Sequence, residues 1–206
     1  MAQSNYDKTK FDAGRLFCSY DPDEICKNRN LKRDGDYLYL TYFGEDYRVR
    51  LADGYVEKFV GEGILEADFN AAMTIYDLLC HSSEEIVMSG NFVYIPNLSR
   101  VQNATSFAGH GIYKNQEDIL TGKCEALKTA CEKLLGVPLG KGDVSYRIPV
   151  FQNVDILLSF WDADDEFPAS LKMYVDDRLL NYMYYETVWY MTGSLMQRVM
   201  KFVEKE

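Results

Sequence analysis

Two stretches of short strands joined by tight turns, about 37–60 and 144–175, constrain this chain more than any other feature. In the first, Tyr47, Val49 and Leu51 alternate with Arg48 and Arg50, the period-two pattern of a strand with one wet face. A Gly44-containing turn precedes that strand, and Asp53-Gly54 is a two-residue turn signal leading into Tyr55–Val60. In the second, Val144–Phe151 carries Pro149, whose missing N–H confines it to an edge or a bulge. Val154, Ile156, Leu158 and Phe160 share one strand face, and Leu171, Met173 and Val175 share another. Strands in clusters and helices in clusters, without strict βα alternation, predict an α+β fold: antiparallel β-meanders packed with amphipathic helices.

The helical segments are punctuated. Asp21-Pro22-Asp23-Glu24 starts a helix running to about Asn28, with Asp as cap, Pro at the first position and acids in the first turn. Leu65, Phe69, Ala72, Met73, Tyr76, Leu79 and Cys80 predict one buried stripe on a helix ending near His81. Asn115 caps the next helix, Leu120, Cys124, Leu127, Cys131 and Leu134 form its stripe, and Gly136 and Pro138 end it. A final helix, about Tyr184 to Val203, is expected to bury Val188, Met191, Leu195, Val199 and Phe202. Phe11, Leu16 and Phe17 mark residues 1–20 as a docked N-terminal helix or a flexible arm, and 206 residues suit a single domain.

Charge and cysteine usage narrow the setting. Thirty-two acidic against 22 basic residues give a net charge of −10, which repels polyanions and argues against nucleic acid as a partner. The densest basic cluster, Lys27, Arg29, Lys32 and Arg33, is followed at once by Asp34 and Asp36 and reads as a solvated turn. No run approaches the roughly 20 apolar residues of a membrane span. Residues 1–5 lack the basic start and apolar run of a secretion signal, so a cytoplasmic location is expected. Five cysteines, with no pair at ligand or dithiol spacing, read as reduced thiols, and Cys124 and Cys131 as small core residues. No metal site is expected from them.

The candidate sites are few. Asp162, Asp164 and Glu166 alternate through an acidic turn whose carboxylates could converge on a hard cation or pair for acid–base work. The calcium-loop pattern fails there, with no Gly at its sixth position and no Glu at its twelfth, and a hairpin turn of solvated carboxylates explains the same residues. His110 stands between Gly109 and Gly111, which suits a binding loop as well as a plain turn. Gly136–Gly142 is one residue short of a phosphate loop and trails a helix, so a simple connection accounts for it. Tyr182, Met183, Tyr184, Tyr185, Trp189 and Tyr190 hold more aromatic surface than one buried face needs. Core packing is the first reading, and a partner or homodimer interface through Tyr182, Tyr185 and Trp189 the second. No residue stands out as catalytic, and the cofactor, if any, is unknown.

The Asp21–Glu24 helix start leading into Tyr37–Leu51, the run Ser89–Ile95, and Gly142-Asp143 through Asp164-Asp165-Glu166-Phe167-Pro168-Ala169 to the Leu171–Asp176 strand and final helix occur in a familiar order. In these the chain resembles the bacterial and archaeal family known as domain of unknown function 3786. The resemblance implies no catalytic residue. Some members are linked to iron–sulfur and corrinoid one-carbon modules in anaerobes, which implies an anaerobic cytoplasm. The expected function is therefore a non-catalytic binding or accessory protein for an unknown protein or small molecule, linked to that metabolism. The alternative is a metal-dependent or acid–base enzyme built on residues 162–166 and the His110 loop.

Overall fold

Alternation over residues 37–60 becomes a five-stranded antiparallel sheet in the computed structural model, which describes residues 5–98 and 113–204. Strands β1 (Lys32–Asp34), β2 (Tyr37–Tyr42), β3 (Glu45–Arg50), β4 (Val56–Val60) and β5 (Gly63–Glu66) lie side by side in chain order. Leu38, Leu40, Tyr42, Tyr47, Val49 and Val56 fill the buried face, as their spacing requires. β2 and β3 pair from Tyr37 opposite Arg50 to Tyr42 opposite Glu45, leaving Phe43-Gly44 as a two-residue turn. Both turn residues have positive φ, 51° and 71°, the twist that suits a two-residue hairpin. A left-handed conformation costs Phe43 about 1–2 kcal/mol. Its side chain is 2% exposed and lies edge-on to Tyr42 at 4.7 Å. Burying a ring of that size is worth about 1.5–3 kcal/mol, so packing outweighs the strain.

Leu65 belongs to this sheet and not to the helix its spacing predicted. It pairs with Lys58 in β5 and is exposed. Helix α3 (Phe69–Cys80) starts later because Asp68 caps it, accepting from the Ala71 N–H at 3.0 Å. Helix α2 (Pro22–Asn28) begins as its sequence predicts, with the Asp21 carboxylate accepting from Asp23 N–H. Arg29, in the cluster expected to be solvated, is instead 1% exposed, its guanidinium surrounded by carbonyl oxygens.

Helix α1 (Asn5–Phe17) packs against α3. It docks through Phe17 and Gly14, while Phe11 and Leu16, expected to help, stay exposed. Gly14 lies against the Asp53-Gly54 turn so closely that a Cβ on Gly54 would stand 2.3 Å from the Gly14 carbonyl oxygen. Gly54 also has φ +73°. Gly54→Ala is therefore expected to cost about 2 kcal/mol and loosen α1, read as a lower urea midpoint and faster amide exchange in residues 5–17. An unchanged midpoint would show that α1 docks without this close approach.

The second strand cluster forms another five-stranded antiparallel sheet, with β6 (Phe92–Tyr94), β10 (Ser170–Asp176), β9 (Val154–Trp161), β8 (Val144–Phe151) and β7 (Val137–Pro138) in that spatial order. Pro149 sits at an irregularity in the β8–β9 register, the bulge its ring demands. The single helix expected over 115–135 is two. Helix α4 (Lys114–Leu120) ends before Gly122, whose φ of +73° breaks the helical path, and α5 (Cys124–Lys133) restarts after it. Cys131 is fully buried, as its place in the stripe predicts, but Cys124 is half-buried at the restart.

The chain divides into two compact units, Met1–Val87 with Leu180–Ser194 and Met88–Leu179 with Leu195–Glu206. Helix α6 (Tyr185–Val203) gives its first turns to one unit and its last to the other. Val188, Met191, Leu195 and Val199 are fully buried along it, while Phe202 is half-buried beneath the Lys133 ammonium. The fold is α+β with antiparallel sheets, and no helix among the described residues is long and apolar enough to cross a membrane.

Candidate functional site

Two carboxylates of the acidic turn, Asp162 and Asp164, are spent on backbone N–H groups. Asp162 accepts from the Gly122 N–H at 2.9 Å, from the Ala163 N–H at 2.9 Å and from the Cys124 thiol. The Gly122 hydrogen bond, above all, holds its carboxyl below the usual range. Asp164 accepts from the Glu166 and Phe167 N–H groups, which closes the turn. Glu166 is exposed. Among the described residues, no group of three or more His, Cys, Asp or Glu side chains converges as cation ligands. His110 lies outside the described residues.

The aromatic run at the start of α6 divides by depth. Tyr182 is buried within the chain, 4% exposed, and its hydroxyl accepts from the Val87 N–H at 3.1 Å. Tyr185 and Trp189 are half-buried and meet edge to face at 6.1 Å. Tyr184, by contrast, is 66% exposed.

Tyr184 stands at the rim of a groove of about 630 Å³ within the unit that contains α1 and α3. Helix α1 supplies Tyr6, Thr9, Ala13, Leu16 and Phe17, and Tyr20 follows it. Helix α3 supplies Phe69, Met73, Tyr76, Asp77 and Cys80, with His81 as its cap, and the start of α6 supplies Glu186 and Tyr190. That size falls in the ordinary range for small-molecule sites, as does a largely apolar wall carrying a few polar groups.

Local bonds hold these helices in place. The Asp77 carboxylate accepts from the Tyr184 N–H at 3.0 Å, setting a negative charge where α6 begins, the favourable end of its dipole. The Tyr76 hydroxyl donates to the Gly54 carbonyl at 2.6 Å, and Lys10 of α1 pairs with Glu66. The Tyr190 hydroxyl donates to Glu186. Tyr6 meets Phe69 edge to face at 4.9 Å, and Phe69 meets Tyr190 likewise at 5.2 Å. The His81 ring stands perpendicular to Tyr184 at 4.3 Å, and its Nδ1 is buried without a hydrogen-bond partner among the described residues.

Burial pushes the Cys80 thiol up to about 12, so it is neither a nucleophile nor a ready metal ligand near neutrality. Burial, then the hydrogen bond to Glu186, raises the Tyr190 phenol to about 12. The Tyr190 phenol and the Cys80 thiol therefore keep their protons near neutrality, and the acidic side chains of the lining are Asp77 and Glu186.

Sequence reading did not find this groove. Its one signal is Tyr6, Thr9, Ala13, Leu16 and Tyr20 recurring at three and four residues, a partly apolar stripe broader than docking needs.

A family model described as "Domain of unknown function (DUF3786)" matches residues 21–198. No curated protein and no solved structure matches the chain. The match begins after α1, so one wall of the groove comes from outside the matched region.

Proposed function

The chain belongs to the DUF3786 family, and since that description carries no activity, we propose from its own surface that it is a non-catalytic binding protein for a small molecule. The observation that carries this is the exposed apolar rim of the groove. Tyr6, Leu16, Tyr20 and Tyr184 each keep 40% or more of their surface in water around one concavity. Isolated exposed apolar residues need no explanation, but a set converging on a groove is the signature of a binding site. The enzymatic alternative gains nothing from the acidic turn. A carboxyl held below its usual pKa by backbone N–H groups is a poor general acid and a weak base.

Nile red, an uncharged apolar dye, is the first probe. It is expected to bind the full chain saturably, with enhanced fluorescence. Ala13→Trp places an indole inside the groove from a half-buried position on α1 and should weaken binding about tenfold with the unfolding midpoint unchanged. Equal binding by both proteins would remove the groove as the site.

A further inference from the structure

We infer that the ligand of this groove is an organic cation, an alkylated ammonium head on an apolar body. The assignment rests on the groove being a binding site and adds the chemistry of what enters it.

Charge is the first argument. The lining holds the carboxylates of Asp77 and Glu186 and contains no lysine or arginine. Each carboxylate spends one oxygen locally, Asp77 on the Tyr184 N–H and Glu186 on the Tyr190 hydroxyl, which leaves the other oxygen of each without a hydrogen bond among the described residues. An anionic ligand would meet two carboxylates and no lysine or arginine, whereas an ammonium head is attracted by both.

The aromatic surface is the second, independent argument. Several rings elsewhere lie beneath the chain's own cations. Arg48 lies 3.9 Å from the centre of Tyr37, Arg50 5.1 Å from Tyr55, and Lys172 5.1 Å from Trp161. Among the described residues no such cation lies over Tyr6, Phe69, Tyr184 or Tyr190. Tyr6, Phe69 and Tyr190 instead meet one another at interplanar angles of 75° and 81°. Rings set at right angles make corners and not a flat stack, and corners of electron-rich faces surround a cation. An alkylated ammonium suits such walls better than a primary amine, because its charge is spread over methyl groups that lose little hydration on contact with rings. The volume, about 630 Å³, exceeds a small ammonium head several-fold and leaves room for an apolar body along Leu16 and Met73.

Choline and neohexyl alcohol, its uncharged isostere with carbon in place of nitrogen, separate charge from shape. Calorimetric titration of the full chain should show choline binding about five- to thirtyfold tighter than the alcohol. Glu186→Gln keeps the volume and the Tyr190 hydrogen bond and should remove most of that preference. Tyr20→Leu replaces a 40%-exposed rim ring by an apolar side chain without a π face, so folding is not at stake, and it should weaken choline about threefold more than it weakens the alcohol. No preference for choline, whether both probes bind equally or neither binds, overturns the cation assignment, as does a preference that survives Glu186→Gln intact. The groove itself is lost as the site only if Nile red also fails to distinguish wild type from Ala13→Trp, so the two failures can be told apart.

Discussion

Replacing Arg29 by Met is expected to destabilise the protein by about 3–5 kcal/mol, a loss of roughly 2 M in urea midpoint. The size follows from what this side chain joins. Its guanidinium donates to the carbonyls of Leu78, Ser82 and Glu84, 49 to 55 residues further along the chain. The last carbonyls of a helix have no intrahelical donor, and they form the negative end of its dipole. Arg29 thus satisfies the end of α3 and the loop after it with one planar, multiply donating group. Burial lowers its pKa, yet a guanidinium stays cationic throughout the physiological range. Met fills similar space but leaves the buried Leu78 carbonyl and its neighbours without this donor. Arg29→Lys should recover little, since one ammonium cannot span three carbonyls in a fixed fork. A loss below 1 kcal/mol for Arg29→Met would mean that water replaces the guanidinium without cost.

The same residue shows where legibility stops. Strand periodicity is local: Tyr47 and Val49 alternate with Arg48 and Arg50 whatever lies across the sheet, and both meanders could be read from it. Caps are local too, so Asp21 marks α2 correctly. Burial of a charge is not local. Arg29 sits in a run of basic residues beside two acids, and nothing within ten positions announces carbonyl partners some 50 residues away. Leu65 kept helical spacing with α3, but backbone pairing with Lys58 and a cap at Asp68 overrode it. Gly122 lay inside a good apolar stripe, and its positive φ divided the predicted helix without disturbing the spacing. The groove was hidden for a related reason: three helices each contribute a modest stripe, and only their packing makes a concavity. The charges of the acidic turn are adjacent in sequence, but Asp164 is spent on the N–H groups of its own turn and Asp162 on the N–H of Gly122, 40 residues away.

Asp176→Ala should cost about 3 kcal/mol and Asp176→Asn about 2, for reasons that again cross the chain. Asp176 ends β10 at 3% exposure, where a carboxylate is tolerated only if donors surround it. Its oxygens accept from the N–H groups of Ser89, Gly90 and Arg178 at 3.1, 2.7 and 2.9 Å. Beside it Asp177 accepts from the Ser89 hydroxyl at 2.6 Å and from the Asn91 amide at 2.9 Å, while its own N–H donates to Asn91 O. Two of the stretches that carry the family resemblance, Ser89–Ile95 and Leu171–Asp176, are thus joined at one corner, which starts β6 in register with Phe92 opposite Asp176. Asparagine keeps one accepting oxygen but turns an NH₂ toward backbone donors, so it recovers part of the loss and alanine none. The Ser89 and Asn91 hydrogen bonds hold the Asp177 carboxyl below its ordinary range. Its contribution is therefore present above the unfolded pKa and fades as pH falls through the folded one. Urea unfolding near neutrality, followed by amide exchange at residues 89–94, reads both effects. If Asp176→Ala left β6 as protected as in wild type, the pairing of β6 with β10 would have to come from the sheet alone.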